Sequence, residues 1–393
     1  MTETTAPSQP HDRILTDDVL ERIRSRAAGY DSANAFFTED FEELTELGYL
    51  KALVPTGFGG AGLSLEQLAR EQTRLAAAAP ATALAINMHL IWTAVAKILH
   101  DRGDSSLDFV LTEAGAGEVY AFGLSEAGND LVLVGSVTDA SPQPDGGYRY
   151  TGKKIFTSLS PAWTRLGTMG LDSTSPDAPK IVYGFISRSE PGYTVLDDWD
   201  TVGMRASQSN TTLLDGALAP ANRVVRRLEP GPNADPLIFG ISASFEILVA
   251  AVYTGIGMRA LELAVRAAHR RTSMKNDGRT LAQDPDIRWR VATAAIAQDG
   301  IYPQLDALAR DVDRLVDHGA QWFSKLAGLK MRATENARAV VDQAIRVAGG
   351  SSYFASSELG RLYRDVLAGL FHPPDNESAH STVANAWLGP IDE

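Results

Sequence analysis

The chain has 393 residues, of which 44% are hydrophobic and 22% are charged, and it contains no cysteine. This composition is typical of a globular protein, and the lack of cysteine excludes thiol nucleophiles, Cys-ligated zinc and disulfides. A formal net charge of −13 disfavours binding to nucleic-acid phosphates. The first residues lack the pattern of a signal peptide, and Arg, Glu or His interrupts the longest apolar runs before the roughly 18 residues of a membrane span. We therefore predict a cytoplasmic protein that binds neither nucleic acid nor a membrane.

The N-terminal part of the chain has a helical pattern. Residues 1–12 are polar, with two prolines, and we predict a short disordered tail there. Apolar residues then recur at helical spacing from about residue 14 to residue 117. Ser64 and Gln67 have the spacing of a capping box. The run from 68 to 99, which is rich in Ala and Leu, predicts two close-packed helices.

The middle of the chain changes to a strand pattern, and the remainder returns to a helical one. Residues 148–151 and 181–186 are short aromatic and β-branched segments, and Asp145-Gly146-Gly147 is a turn signal before the first of them. These features predict short antiparallel strands between about 119 and 228. Apolar stripes at helical spacing follow from about 239 to 388. The predicted order is helices, then strands, then helices.

Two local motifs have more than one interpretation. Gly255-Ile256-Gly257 begins a glycine pattern of dinucleotide-binding folds, but no strand precedes it, so we predict close helix packing instead. His372 lies between Phe371 and two prolines, which restrict the backbone. A histidine there can do acid–base chemistry or can satisfy a carbonyl group at a helix end. No histidine spacing suits a metal, so we expect no metal site.

Several segments taken together resemble the acyl-CoA dehydrogenase superfamily of flavoenzymes. Near the C-terminus these are Ala348-Gly349-Gly350-Ser351, Arg364-Asp365 and Phe371-His372-Pro373. In the middle they are residues 123–130 and residues 145–158. The resemblance implies an α+β multidomain fold with an N-terminal all-α domain, a middle antiparallel β-barrel-like domain and a C-terminal four-helix bundle. The implied boundaries, after the tail 1–12, are 13–118, 119–230 and 231–393.

The resemblance also implies a flavin site. The implied cofactor-binding residues are Ser125, Phe156, Ser158, Arg271, Met274, Arg346, Gly349 and Gly350. Ser125 and Ser158 would donate hydrogen bonds to the flavin ring, and Arg271 would contact the FAD diphosphate, usually across a subunit interface. Met274 replaces a usual aromatic residue, and Arg346 replaces a common glutamine. The expected cofactor is FAD, with FMN or reduced flavin supplied by a reductase as the alternative.

The implied reaction depends on the catalytic base. The position of the usual glutamate is Pro373, and the alternative position on an earlier helix is Phe245, next to Glu246. The first hypothesis is an acyl-CoA dehydrogenase-like enzyme that oxidises an acyl thioester with a non-standard base, His372 or Glu246. Its electron acceptor would be an electron-transfer flavoprotein.

Two other hypotheses stay open at this point. The second is a two-component monooxygenase that receives reduced flavin from a flavin reductase and acts on an organic substrate. In that enzyme His372 and Ser158 would lie at the flavin, and His372 would stabilise the oxygenated flavin or deprotonate the substrate. The third hypothesis is an inactive scaffold that binds an acyl ligand. The resemblance further implies a homo-oligomer, expected to be a tetramer.

Overall fold

The computed structural model describes residues 14–391, so the predicted tail over 1–12 lies outside the described residues. Five helices come first: α1 (Asp17–Ala33), α2 (Thr38–Glu46), α3 (Leu65–Ala78), α4 (Pro80–Asp101) and α5 (Asp108–Gly115). The predicted capping box forms at the start of α3, where Ser64 Oγ accepts the backbone N–H of Gln67 at 3.1 Å and Gln67 Oε1 accepts that of Ser64 at 2.8 Å. The Ala- and Leu-rich run forms α3 and α4, as predicted.

The middle of the chain forms one sheet. Its strands are β1 (Tyr120–Gly123), β2 (Asp139–Pro142), β3 (Tyr148–Lys154), β4 (Arg165–Asp172), β5 (Lys180–Ser187), β6 (Tyr193–Val195), β7 (Thr212–Ala219) and β8 (Val224–Leu228). The order across the sheet is β6-β7-β3-β2-β4-β5-β8, with β1 beside β4. The sheet is therefore open among the described strands, with β6 and β8 at its ends.

The prediction of a purely antiparallel sheet is wrong at two pairings. β1 and β2 each pair in parallel with β4, whereas the other pairs are antiparallel. Side-chain alternation reports which residues of a strand face the core, but it does not report the direction of the neighbouring strand.

The C-terminal part is helical. It contains α6 (Pro236–Arg270), α7 (Pro285–Asp299), α8 (Tyr302–Asp313), α9 (Gln321–Ala348), α10 (Glu358–Asp365) and α11 (Asn376–Leu388), with a two-residue hairpin, β9 (Thr272–Ser273) and β10 (Arg279–Thr280), after α6. α6 to α9 pack against one another, and α10 and α11 also pack on α9. A Cβ added at Gly255 would lie 2.3 Å from the backbone oxygen of Thr73, so α6 and α3 touch there. This contact confirms that the glycine motif serves helix packing.

One hydrophobic core joins the two helical parts. It includes residues of α1, α3, α4, α6 and α9 and one face of the sheet, while a smaller core around Tyr150 and Trp163 lies within the β part. α4 and α6 are long and apolar enough to span a membrane, but 94% of the apolar window of each is buried inside the protein. Both are central helices of this core. The candidate site lies where α4, α6 and the sheet meet the segment between α10 and α11.

Candidate functional site

A cavity of about 760 Å³ lies between the sheet and the helices. This volume is within the range of pockets that hold small molecules and cofactors. α4 contributes Leu84 and Met88, α6 contributes Phe245, and the loops after β1 and β3 contribute polar residues. The segment between α10 and α11 closes one side and carries His372. Four predicted site residues therefore come together here: Ser125, Phe156, Ser158 and His372.

Three serine hydroxyls form a chain at the wall of the cavity. Ser158 Oγ lies 2.7 Å from Ser209 Oγ, which lies 2.7 Å from Ser207 Oγ. Three hydroxyls have three protons, and two hydrogen bonds between them use only two. The chain can therefore direct one proton from Ser158 to a ligand acceptor. No sequence pattern marks Ser207 and Ser209 for this role, because Ser209 lies about fifty residues from Ser158 in the chain. Ser207 joins them only through its bond to Ser209.

An aromatic wall borders the same space. Phe156 has a φ of +57°, which is rare for a residue with a bulky side chain, and 52% of it is exposed. Its ring meets Trp199 edge to face, with 6.0 Å between the ring centroids. Met204, another lining residue, also has a positive φ, of +53°. Such conformations persist when the surrounding structure holds them, and they are frequent at ligand sites.

His372 lines the cavity, and one of its ring nitrogens is buried without a partner among residues 14–391. Its Nε2 is buried and has no hydrogen-bond partner among the described residues. Burial and, to a smaller extent, the positive charge of Lys330 together lower the pKa of this imidazole from 6.5 to about 3. His372 is therefore neutral at neutral pH, with one N–H and one lone pair. The ring of Phe245 lies nearby, 6.5 Å from the imidazole between centroids.

The two positions predicted for a carboxylate base both line the cavity. They are occupied by Phe245 and Pro373. Glu246, one residue further along α6, does not line the cavity, because a helix turns about 100° per residue. Its side chain is buried, its Oε2 has no partner among the described residues, and burial raises its pKa to about 8, although Lys330 opposes that shift.

Glu126 also lines the cavity, and the sequence reasoning did not assign it a role. It accepts hydrogen bonds from Lys154 Nζ at 2.6 Å, from Ser136 Oγ at 2.7 Å and from the backbone N–H of Thr138 at 3.1 Å. Burial raises its pKa, but Lys154 and these donors outweigh burial and hold the pKa at about 2. Glu126 is thus saturated as an acceptor, and it anchors the loop that presents Ser125.

The remaining predicted cofactor residues lie elsewhere on the chain. Arg271, Met274, Arg346, Gly349 and Gly350 do not line the cavity. Arg271 donates from Nη1 to Val347 O at 2.9 Å, and a Cβ added at Gly349 would lie 2.7 Å from that Nη1. Within one chain, the residues predicted to contact the flavin ring line the cavity, whereas those predicted to contact the diphosphate lie outside it.

The other two predicted cofactor residues also lie outside the cavity. Met274 is 97% exposed, and Arg346 pairs with Asp342 at 2.7 Å. Across residues 14–391, no three side chains of the types His, Cys, Asp and Glu come together as a metal site would need.

Comparison with known proteins identifies the family. The model of the acyl-CoA dehydrogenase N-terminal domain matches residues 16–104, and that of the acyl-CoA dehydrogenase C-terminal domain matches residues 246–384. L-evernosamine nitrososynthase of a Micromonospora strain is 30% identical over 382 residues, which cover 94% of this chain and 88% of the relative. The chain belongs to the acyl-CoA dehydrogenase family. It is a flavin-dependent oxidoreductase of that family.

Other relatives agree with this assignment. Amino sugar nitrososynthase DnmZ of Streptomyces peucetius is also 30% identical, and the match covers 94% of this chain and 91% of the relative. Among solved structures, KijD3 in complex with FMN and dTDP-3-amino-2,3,6-trideoxy-4-keto-3-methyl-D-glucose superimposes with a TM-score of 0.86 at 27% identity, covering 98% of this chain and 96% of that one. The expected family fold, with helical segments before and after a central sheet along the chain, is confirmed.

Proposed function

We propose that this enzyme is a flavin-dependent monooxygenase that oxygenates the nitrogen of a small amine, with amino sugars as the first class to test. One observation carries the proposal. Both positions expected for a dehydrogenase base face the cavity as Phe245 and Pro373, while the imidazole of His372 lines it. Removal of an α-proton from a thioester needs a base within reach of that proton, and neither side chain can accept one.

The relatives support the same chemistry. Both relatives at 30% identity are named as nitrososynthases of amino sugars, and the KijD3 structure contains FMN with an amino-sugar nucleotide. We propose FMN, supplied in reduced form by a flavin reductase, as the cofactor. Met274 supports FMN over FAD, because the family usually has an aromatic residue at this position for contact with the adenine of FAD.

The cavity fits a flavin ring and an amine together. A reduced flavin supplies two electrons to O₂, so that one oxygen atom enters an N–H bond of the substrate and the other leaves as water. The Ser158 hydroxyl offers a donor to a ring acceptor, and Phe156 offers an apolar surface against it. His372 is neutral, so it can donate its N–H in a hydrogen bond at the reacting atoms, and its pKa of about 3 makes it a weak proton acceptor. Apolar side chains, Leu84 and Met88 among them, exclude water from the reacting atoms.

The charges of the cavity wall favour an amine over a CoA thioester. Among the lining residues the only Lys or Arg is Arg364, and its guanidinium is bound by Asp31. The exposed Asp130 and the partly buried Asp375 also line the cavity. These carboxylates attract the ammonium form of an amine, a charge that an acyl thioester lacks.

A homo-oligomer, expected to be a tetramer, stays part of the proposal. Tyr353 and Phe354, three and four residues after Gly350, are 96% and 69% exposed, and Met274, three residues after Arg271, is 97% exposed. Exposed apolar side chains that cluster in this way are typical of a protein contact. A second subunit packed there would cover them. The cytoplasmic location also stays a prediction.

The experiment that tests the function uses the purified full chain. Under air, with reduced FMN and an amino sugar, we expect an N-oxygenated product by mass spectrometry. His372→Ala should divert oxygen to hydrogen peroxide, whereas His380→Ala, which changes an exposed histidine of α11, should not.

A second condition tests the dehydrogenase hypothesis. If an acyl-CoA bleaches the bound flavin without oxygen, and Glu246→Gln abolishes that bleaching, the enzyme is a dehydrogenase and the present proposal fails.

A further inference from the structure

A buried lysine lies directly behind the segment that carries His372. Lys330 is on α9, it is 1% exposed, and its Nζ donates to three carbonyl oxygens: Gly369 at 3.0 Å, His372 at 2.6 Å and Pro374 at 3.0 Å. An ammonium group has three protons. All three are therefore committed to one short piece of backbone, residues 369–374.

The carbonyl oxygens that accept the three protons compensate the buried charge of this lysine. A buried ammonium without compensation costs several kcal/mol. Burial lowers the pKa of Lys330 to about 8, and the carboxylates of Asp375 and Glu335 favour its charged form. Glu246 adds to this effect only when it is ionised, and burial raises its own pKa to about 8.

The surroundings of the imidazole make its position depend on that backbone. His372 Nε2 has no hydrogen-bond partner among residues 14–391, so no side-chain bond orients the ring. Its described aromatic neighbours, Phe245 and Tyr253, lie with their ring centroids 6.5 Å and 5.8 Å away. The bond from Lys330 to the carbonyl oxygen of His372 itself is the shortest of the three that fix the segment.

We propose that Lys330 is a positioning residue for His372. Lys330 holds the carbonyl groups on both sides of the imidazole. The catalytic part of this inference rests on the proposed oxygenation. The positional part does not, since it concerns the protein without cofactor or substrate.

The positional part is tested first, in the flavin-free protein. Diethyl pyrocarbonate modifies accessible neutral imidazoles, and the modified histidines are located by mass spectrometry, with exposed His380 as internal standard. Lys330→Met should raise the modification rate of His372 relative to His380 by about tenfold, because the segment opens locally. Lys325→Met, at an exposed position of the same helix, is the control and should leave the ratio unchanged. An unchanged ratio in Lys330→Met would overturn the proposal.

A double-mutant cycle tests the catalytic part. The measured quantity is the fraction of consumed oxygen that appears in product. Lys330→Met should lower that fraction severalfold in the wild-type background and have little further effect in a His372→Ala background, because residues that act through one another are not additive. Equal losses in both backgrounds would reject positioning through His372.

A second variant keeps the test decisive. If Lys330→Met does not fold, Lys330→Gln, which retains two N–H donors, replaces it. It should accelerate the modification of His372 to a smaller degree, and an unchanged rate would reject the inference. If no amine is oxygenated by the wild-type enzyme while the modification result holds, the proposed function fails and the positional role stands.

Discussion

His89 is held neutral by two backbone groups, and this leads to a prediction about stability. It lies on α4 and is 1% exposed. Its Nδ1 accepts the backbone N–H of Tyr120 at 3.0 Å, so Nε2 carries the proton and donates to Leu50 O at 2.8 Å. Protonation of Nδ1 would place its N–H against the backbone N–H of Tyr120, and two donors cannot hydrogen-bond to each other. Burial lowers the pKa of His89 from 6.5 to about 4, although the bond to Leu50 O opposes that shift.

The direction in which pH changes the stability follows from how many protons His89 binds in the folded and in the unfolded chain. Below pH 6.5 the unfolded chain binds a proton at this residue, whereas the folded chain binds none until about pH 4. Stability is therefore lost as the pH falls through the unfolded pKa. Between about pH 7.5 and about pH 5.5, linkage with these pKa values gives a loss of about 1.4 kcal/mol from His89 alone.

The perturbation is His89→Asn. Its Oδ1 can replace Nδ1 as the acceptor for Tyr120, and an amide does not titrate. We expect the variant to be less stable than the wild type at about pH 7.5, since the bond to Leu50 O is lost at a cost of about 1 kcal/mol. Urea denaturation at several pH values measures both proteins. The free energy of unfolding of the wild type minus that of the variant should fall by about 1.4 kcal/mol towards the acidic end, so that the variant becomes slightly more stable than the wild type there.

A control variant and one specific result would show whether the prediction for His89 is wrong. His380→Asn removes an exposed histidine and should follow the wild-type pH dependence. Free energies of unfolding that run parallel in wild type and His89→Asn from about pH 7.5 to about pH 5.5 would show that His89 titrates normally. The tautomer assigned from the Tyr120 contact would then be wrong.

Three further predictions concern packing and the cofactor site. Lys154→Met leaves the carboxylate of Glu126 buried and uncompensated, and it should destabilise the fold by about 3–5 kcal/mol in urea denaturation. Gly255→Ala places a Cβ 2.3 Å from a backbone oxygen of α3 and should cost about 1–3 kcal/mol in the same assay, whereas Gly29→Ala, where nothing lies within 4 Å, should be neutral or stabilising. Ser158→Ala removes the end of the hydroxyl chain and should weaken FMN binding roughly fivefold in a fluorescence titration, about the value of one hydrogen bond.

One result would contradict each of these three predictions. Wild-type stability in Lys154→Met would mean that the carboxylate is protonated or solvated in the folded protein. Equal stability of the two glycine variants would contradict close contact between α6 and α3. Unchanged FMN affinity in Ser158→Ala would remove the proposed hydroxyl donor from the flavin site.

Local chemistry determined much of what the sequence predicted. The capping box at Ser64 forms because both of its partners lie within one helical turn. The glycine pair near residue 255 could be assigned to packing because no strand precedes it. The order of helices and strands follows from periodicity, which depends only on neighbouring residues. The family resemblance depends on short motifs whose order along the chain the sequence itself displays.

The tertiary structure decided what depends on contacts between distant parts of the chain. Phe245 faces the cavity and Glu246 does not. These neighbours point about 100° apart on the helix, and only the packing of α6 determines which of them faces the cavity. The parallel pairing of β1 and β2 with β4 has no local signal, because a strand presents the same alternation in either direction. The contact of Lys330 with the His372 segment spans about forty residues. Such contacts form only when the helices have packed, so short-range patterns contain no record of them.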